Sequence, residues 1–152
     1  REIIDSDKQL DLFEFAVNEI VVAGLRRTLG LPVPRIKRNS FREIADEASI
    51  LLSMLACVGA DNLTNAESAF LAAMESAGEE GKGMTFKSKE TFDAEVVRKS
   101  LESLLTASMP VRKTLLQAAL ACLHHDRTAT PQEIELFRTI AAALEIQVPP
   151  LT

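Results

Sequence analysis

The chain of 152 residues contains no tryptophan, no tyrosine and only two cysteines. Aromatic residues make up 5% of the sequence while alanine and aliphatic residues dominate, a composition that favours closely packed helices over strands. Cys57 and Cys122 are too few for a disulfide framework and indicate a reducing compartment. No apolar run approaches the ~20 residues that a membrane-spanning helix requires. These shortages exclude a disulfide-rich secreted fold and favour a helical globule.

The sequence also lacks the excess of basic residues that nucleic-acid binding needs. It has 17 lysines and arginines against 22 aspartates and glutamates, which gives a net charge of −5 at pH 7. A nucleic-acid ligand is bound largely by positive side chains that replace its counterions, so we expect no such partner. The length is that of one domain, residues 1–152, which buries roughly 70% of its unfolded surface without the help of metals or disulfides.

Catalytic motifs are missing as well. The only histidines, His124 and His125, are adjacent, so on a helix they point about 100° apart and are poorly placed to share a metal. They are more typical of a pair that complements the carbonyl end of a helix. The sequence shows no serine–histidine–aspartate set, and the glycine-rich stretch GEEGKG is too acidic for a phosphate-binding loop. We therefore predict a chain without enzymatic activity or a cofactor of its own.

What the sequence has in abundance is helical periodicity, which predicts an all-α fold of about six helices. We expect a bundle of repeated helical hairpins, packed in an orthogonal or antiparallel way. The stretch TLLQAALACL is apolar almost all round, which predicts that the fifth helix lies in the middle. GEEGKG predicts a mobile loop over residues 78–90. The helices are predicted over residues 11–28 and 91–106 and in segments that start near Ser40, Thr64, Ser108 and Thr130.

One sequence motif occurs in two full-length copies, LACVGADNLTNAE (55–67) and LACLHHDRTATPQE (120–133), which are similar but not identical. A shorter copy, DKQLDLFE, spans residues 7–14. In each copy an aspartate leads to a helix start and then to a glutamate three residues later. The first interpretation is capping, in which Asp11, Thr64 and Thr130 each satisfy free helix amides, worth ~1 kcal/mol apiece. The alternative is a set of acidic sites for divalent metals, although the spacing is not that of an EF-hand. The metal candidates would be Asp7, Asp11, Glu14, Asp61, Glu67, Asp126 and Glu133.

The repeat also predicts something about the parent protein. The two full copies follow an apolar helix, whereas the first copy follows only REIIDS. We therefore expect the chain to be part of a longer protein with another apolar helix immediately upstream. Cys57 and Cys122 occupy equivalent places in their copies, and we expect both to be small core residues with little reactivity.

Residues 26–42 form a basic segment on an otherwise acidic chain. The segment contains no acidic residue. It is either a solvated connector or a contact for anionic lipid headgroups or an acidic partner surface, where each basic group contributes about 1 kcal/mol. Its basic residues are Arg26, Arg27, Arg35, Lys37, Arg38 and Arg42.

The closing stretch ACLHHDRTATPQEIELFRTIAAALEIQVPPL, together with LDLFEFAVNEIV, ASILLSMLACVG and SLLTASMPVRKTLLQAAL, resembles a known family. It is similar to the TerB-like helical region at the C-terminus of HtpX-type membrane-bound zinc metallopeptidases, the Zn-dependent proteases with chaperone function. The resemblance implies a bacterial parent with a zinc-containing peptidase domain, and this domain on the cytoplasmic side of the inner membrane. It implies a regulatory or interaction role, with the rest of the parent chain, another protein or an anionic membrane surface as partner. TerB-like repeats usually carry Asp-Gly in the turn and are thought to bind metal there, whereas this chain has Asp61-Asn62 and Asp126-Arg127.

Overall fold

The structure is a computed structural model that describes residues 6–29, 39–60, 62–88, 91–125 and 129–146. Within the first helix it describes the backbone alone for residues 6–11, 23–24 and 26–28. These parts of the chain confirm the all-α prediction, since they contain six α-helices and the 3₁₀ helices Phe41–Ile44 and Gly78–Gly83. The α-helices are α1 (Ser6–Thr28), α2 (Ala45–Gly59), α3 (Leu63–Ala77), α4 (Ala94–Leu104), α5 (Met109–Leu123) and α6 (Pro131–Ala143).

Helix α2 lies at the centre of the bundle. It contacts every other α-helix, and all of its residues from 51 to 58 are buried. The prediction that the fifth helix is central is wrong, because α5 exposes Lys113 and Gln117 to solvent and packs mainly against α3 and α2. Cys57 on α2 and Cys122 on α5 are buried thiols without a disulfide, as expected for core residues.

The bundle consists of two helical hairpins, α2–α3 and α5–α6, with α4 packed against α1 and α2 and with α1 closing the bundle. The α2–α3 and α5–α6 hairpins are joined chiefly by α3 packing along α5. Helix α1 packs against α6, α4 and α2, so the first helix of the chain contacts the last. None of the helices in the described ranges is both long enough and apolar enough to cross a membrane.

Of the three caps predicted from the repeat, only Thr130 is confirmed. Its hydroxyl accepts the amide of Glu133 at 3.1 Å, and the Glu133 carboxylate accepts the amide of Thr130 at 3.0 Å. Thr64 lies inside α3, whose N-cap is Asn62, because the Asn62 amide oxygen accepts the Asn65 amide at 2.9 Å. Asp11 lies inside α1, which begins five residues earlier than predicted, so it cannot cap that helix.

The predicted second helix start is present in a modified form. Ser40 does cap a helix, but its hydroxyl accepts the amide of Arg42 at 3.3 Å and the turn that follows is the 3₁₀ helix Phe41–Ile44. This short helix runs directly into α2 and buries both Phe41 and Ile44. Its two buried side chains therefore fix the direction in which the chain enters α2.

The segment predicted as a loop over 78–90 has more structure than expected. Residues 78–83 form a 3₁₀ helix, and residues 84–88 run without helix along α2, while residues 89–90 lie outside the described part. The buried hydroxyls of Ser49 and Ser53, one turn apart on α2, accept the amides of Thr85 and Lys87 at 3.0 and 2.9 Å. A side chain from this segment, Phe86, also packs edge-on against the ring of Phe70, with centroids 5.6 Å apart. Residues 84–88 are thus anchored to the core by both polar and apolar contacts.

A buried arginine joins two helix ends. Arg112 on α5 is only 7% exposed. Its guanidinium donates to the carbonyls of Leu105, Ala107 and Leu144 at 2.7, 3.1 and 3.1 Å. Leu105 and Leu144 are the C-caps of α4 and α6, where carbonyls lack helical partners and the helix dipoles are negative. The Arg112 guanidinium therefore supplies hydrogen-bond donors to carbonyls at the C-terminal ends of both α4 and α6.

Candidate functional site

The two full-length copies of the repeated motif lie next to each other in the structure. Described residues at the C-terminal ends of α2 and α5, in the first half of α3 and at the start of α6 line one pocket of about 120 Å³. Each copy contributes both small and polar residues to its walls, and α3 closes one side. The lining residues are Ala56, Gly59, Ala60, Asn65, Ala69, Cys122, His125 and Glu133.

Glu133 connects the two copies directly. Its carboxylate holds the first turn of α6 through the capping box with Thr130, and its side chain lies against the bare Cα of Gly59 at the end of α2. A Cβ atom added to Gly59 would overlap the Glu133 carboxylate, so this close approach requires glycine. Glu133 is 5% exposed, and the contact buries it between the two turns.

The pocket is small for a ligand site. Its volume of about 120 Å³ has room for a few water molecules and is well below the roughly 300–1,000 Å³ of pockets that bind drug-sized ligands. Cys122, His125 and Glu133 share its walls, yet no three His, Cys, Asp or Glu residues of the described ranges are arranged to hold a metal ion. His124 is the C-cap of α5, and both histidines are exposed, consistent with their predicted place at a helix end. The described walls bring residues of the two copies of the repeat into contact.

The other metal candidates are dispersed or lie outside the described residues. Glu14 is exposed on α1, and Glu67 is exposed on the second turn of α3. Glu133 is buried and engaged in its capping box. Asp61 and Asp126 lie outside the described residues, and so do the side chains of Asp7 and Asp11 on α1. The described members therefore do not form one acidic cluster.

The basic segment is described only in part. Arg42 is exposed on the 3₁₀ helix before α2. Arg26 and Arg27 belong to the last turns of α1, with side chains outside the description. Arg35, Lys37 and Arg38 lie outside the described residues. The structure thus places the beginning of this segment at the C-terminal end of α1 and its end at the entrance to α2.

Helix α1 presents an exposed apolar surface that the sequence interpretation missed. Its core-facing residues Leu12, Ala16 and Ile20 are spaced by four and fully or almost fully buried. Four further apolar residues near its C-terminal end are exposed by 44–80% of their surface. Leu29 follows the helix directly, and its amide donates to the Leu25 carbonyl at 2.9 Å, which keeps it in helical register. We call these residues the α1 apolar face: Val21, Val22, Leu25 and Leu29.

The α1 apolar face lies opposite the core-facing side of the same helix. At about 100° per residue, its four members span an arc of about 100°, centred nearly 180° from the buried residues. The signal was present in the sequence as the spacing of residues 21, 25 and 29. It was hidden because α1 is apolar on both sides in this stretch, and a helix pattern alone does not say which side faces the core.

A comparison of the chain with protein-family models, with curated proteins and with solved structures found no match. The resemblance to the C-terminal region of zinc metallopeptidases therefore stays a prediction from the sequence.

Proposed function

We propose that this chain is a non-catalytic interaction or regulatory module at the C-terminus of a membrane-anchored zinc metallopeptidase. The observation that supports an interaction role most directly is the α1 apolar face. Its residues Leu25 and Leu29 are 54% and 80% exposed, although the same helix buries its other side. Grouped apolar side chains on the surface of a globular domain commonly mark a site of association. The domain would thus use α1 both to complete its core and to meet a partner.

The peptidase context comes from the resemblance of the sequence alone. In that context the parent chain supplies the zinc and the catalytic residues, and this domain positions substrate, docks a partner or sets the oligomeric state. It would act on the cytoplasmic side of the inner membrane. The close contact between Gly59 of α2 and Glu133 of α6, which joins the two hairpins, suits a module that presents a fixed surface.

The first test is the reading frame that encodes the parent protein. A His-Glu-x-x-His motif and hydrophobic spans upstream of residue 1 are the expected result. A parent without them would refute the peptidase context and leave the interaction role to be tested separately.

The second test uses the complete parent protein. The double variant Leu25→Ser/Leu29→Ser should change its peptide hydrolysis, substrate range or oligomeric state. The matched control is Leu71→Ser, since Leu71 on α3 is 55% exposed, like Leu25 at 54%, but lies outside the α1 apolar face. Equal behaviour of the double variant and the wild-type parent in all three measurements would contradict an interaction role for this face.

A second candidate function is that of a divalent-metal-responsive module. It is favoured by the meeting of two repeat copies at one pocket, with the Glu133 carboxylate in its wall. Calorimetric titration with calcium, magnesium and zinc separates the two functions. Saturable binding that is lost in Asp126→Ala but kept in Asp93→Asn would favour the metal-responsive module. Asp93 is a suitable control because it is an exposed N-cap of α4 outside the repeat, and asparagine caps equally well.

A further inference from the structure

We draw no further inference here: the strongest candidate, the α1 apolar face at the C-terminal end of that helix, carries nothing beyond the proposed interaction role, because nothing in the described part of the structure shows what covers it.

Discussion

Replacement of Arg112 by methionine tests how the ends of α4 and α6 are held. The guanidinium is buried on α5 and donates to three main-chain carbonyls, those of Leu105, Ala107 and Leu144. Methionine keeps much of the aliphatic stem and its packing but has no donor. The Arg112→Met variant therefore removes these three hydrogen bonds and little of the buried apolar contact.

The expected loss follows from the three acceptors. A buried polar group deprived of its partner costs about 1–3 kcal/mol, which gives about 3–9 kcal/mol for three carbonyls. Methionine also relieves the desolvation of the buried cation, a cost of several kcal/mol, and water can reach some of the freed carbonyls. We expect a net decrease of about 3 kcal/mol in the free energy of unfolding, or roughly 6–12 °C in Tm for a domain of this size.

The assay is urea unfolding followed by far-UV circular dichroism, since the chain has no tryptophan for fluorescence. The matched control is Lys113→Met, which makes almost the same chemical change at the next residue of α5, on an exposed side chain. That control should change the unfolding free energy by less than about 0.5 kcal/mol. Arg112→Met as stable as Lys113→Met would refute the reasoning, because it would mean that the three hydrogen bonds contribute nothing net.

Three further substitutions test a close helix contact, a helix cap and the anchoring of residues 84–88 to α2. Gly59→Ala forces a methyl group into the buried carboxylate of α6 and should cost about 2–4 kcal/mol of unfolding free energy. Its control Gly83→Ala, whose new Cβ would lie 3.5 Å from the nearest atom, should stay within about 0.5 kcal/mol, and equal losses would contradict the close approach. Thr130→Ala should cost about 1 kcal/mol and Thr64→Ala almost nothing; similar costs would mean that the N-cap of α3 is wrongly assigned. Ser53→Ala should lower the free energy of unfolding by about 1–3 kcal/mol and speed hydrogen exchange at the Lys87 amide, which donates to the Ser53 hydroxyl. Unchanged protection of this amide would show that the hydrogen bond is dispensable.

Helix periodicity predicted the all-α class and about six helices, and the structure shows six in the described residues. Val97, Leu101 and Leu104 are buried as their spacing indicates, and so are Phe137 and Leu144. This success has a simple cause, since an amphipathic helix with one apolar stripe can bury only that stripe. The capping box at the start of α6 was equally readable, because both of its partners are close in sequence.

The central position of α2 could not be read in the same way. Ser49 and Ser53 interrupt its apolar pattern, and both are fully buried. They are tolerated there because the Ser49 hydroxyl donates to the Ala45 carbonyl at 2.7 Å, and both serines accept amides from residues 84–88. The two amides that these serines accept lie 36 and 34 residues further along the chain, so the sequence offers no local sign of them.

The burial of Arg112 is a second feature that the sequence could not predict. In the sequence Arg112 and Lys113 are adjacent cations near the start of α5, and nothing local distinguishes the one that is buried. Burial depends on carbonyls that converge from the end of α4 and the end of α6. The exposed side of α1 was missed for a related reason, because both sides of that helix are apolar and only the packed structure shows which one meets the core.

The contact between α1 and α6 has a consequence for how quickly the molecule forms. The two hairpins join neighbouring helices and can close over short loops, whereas α1 must find a helix roughly 100 residues further along the chain. Such a distant encounter raises the mean sequence separation of contacts, and folding rates fall as that separation grows. The domain should therefore fold more slowly than a bundle of sequential hairpins with the same helix content. The docking of α1 onto α6 should be the rate-limiting step.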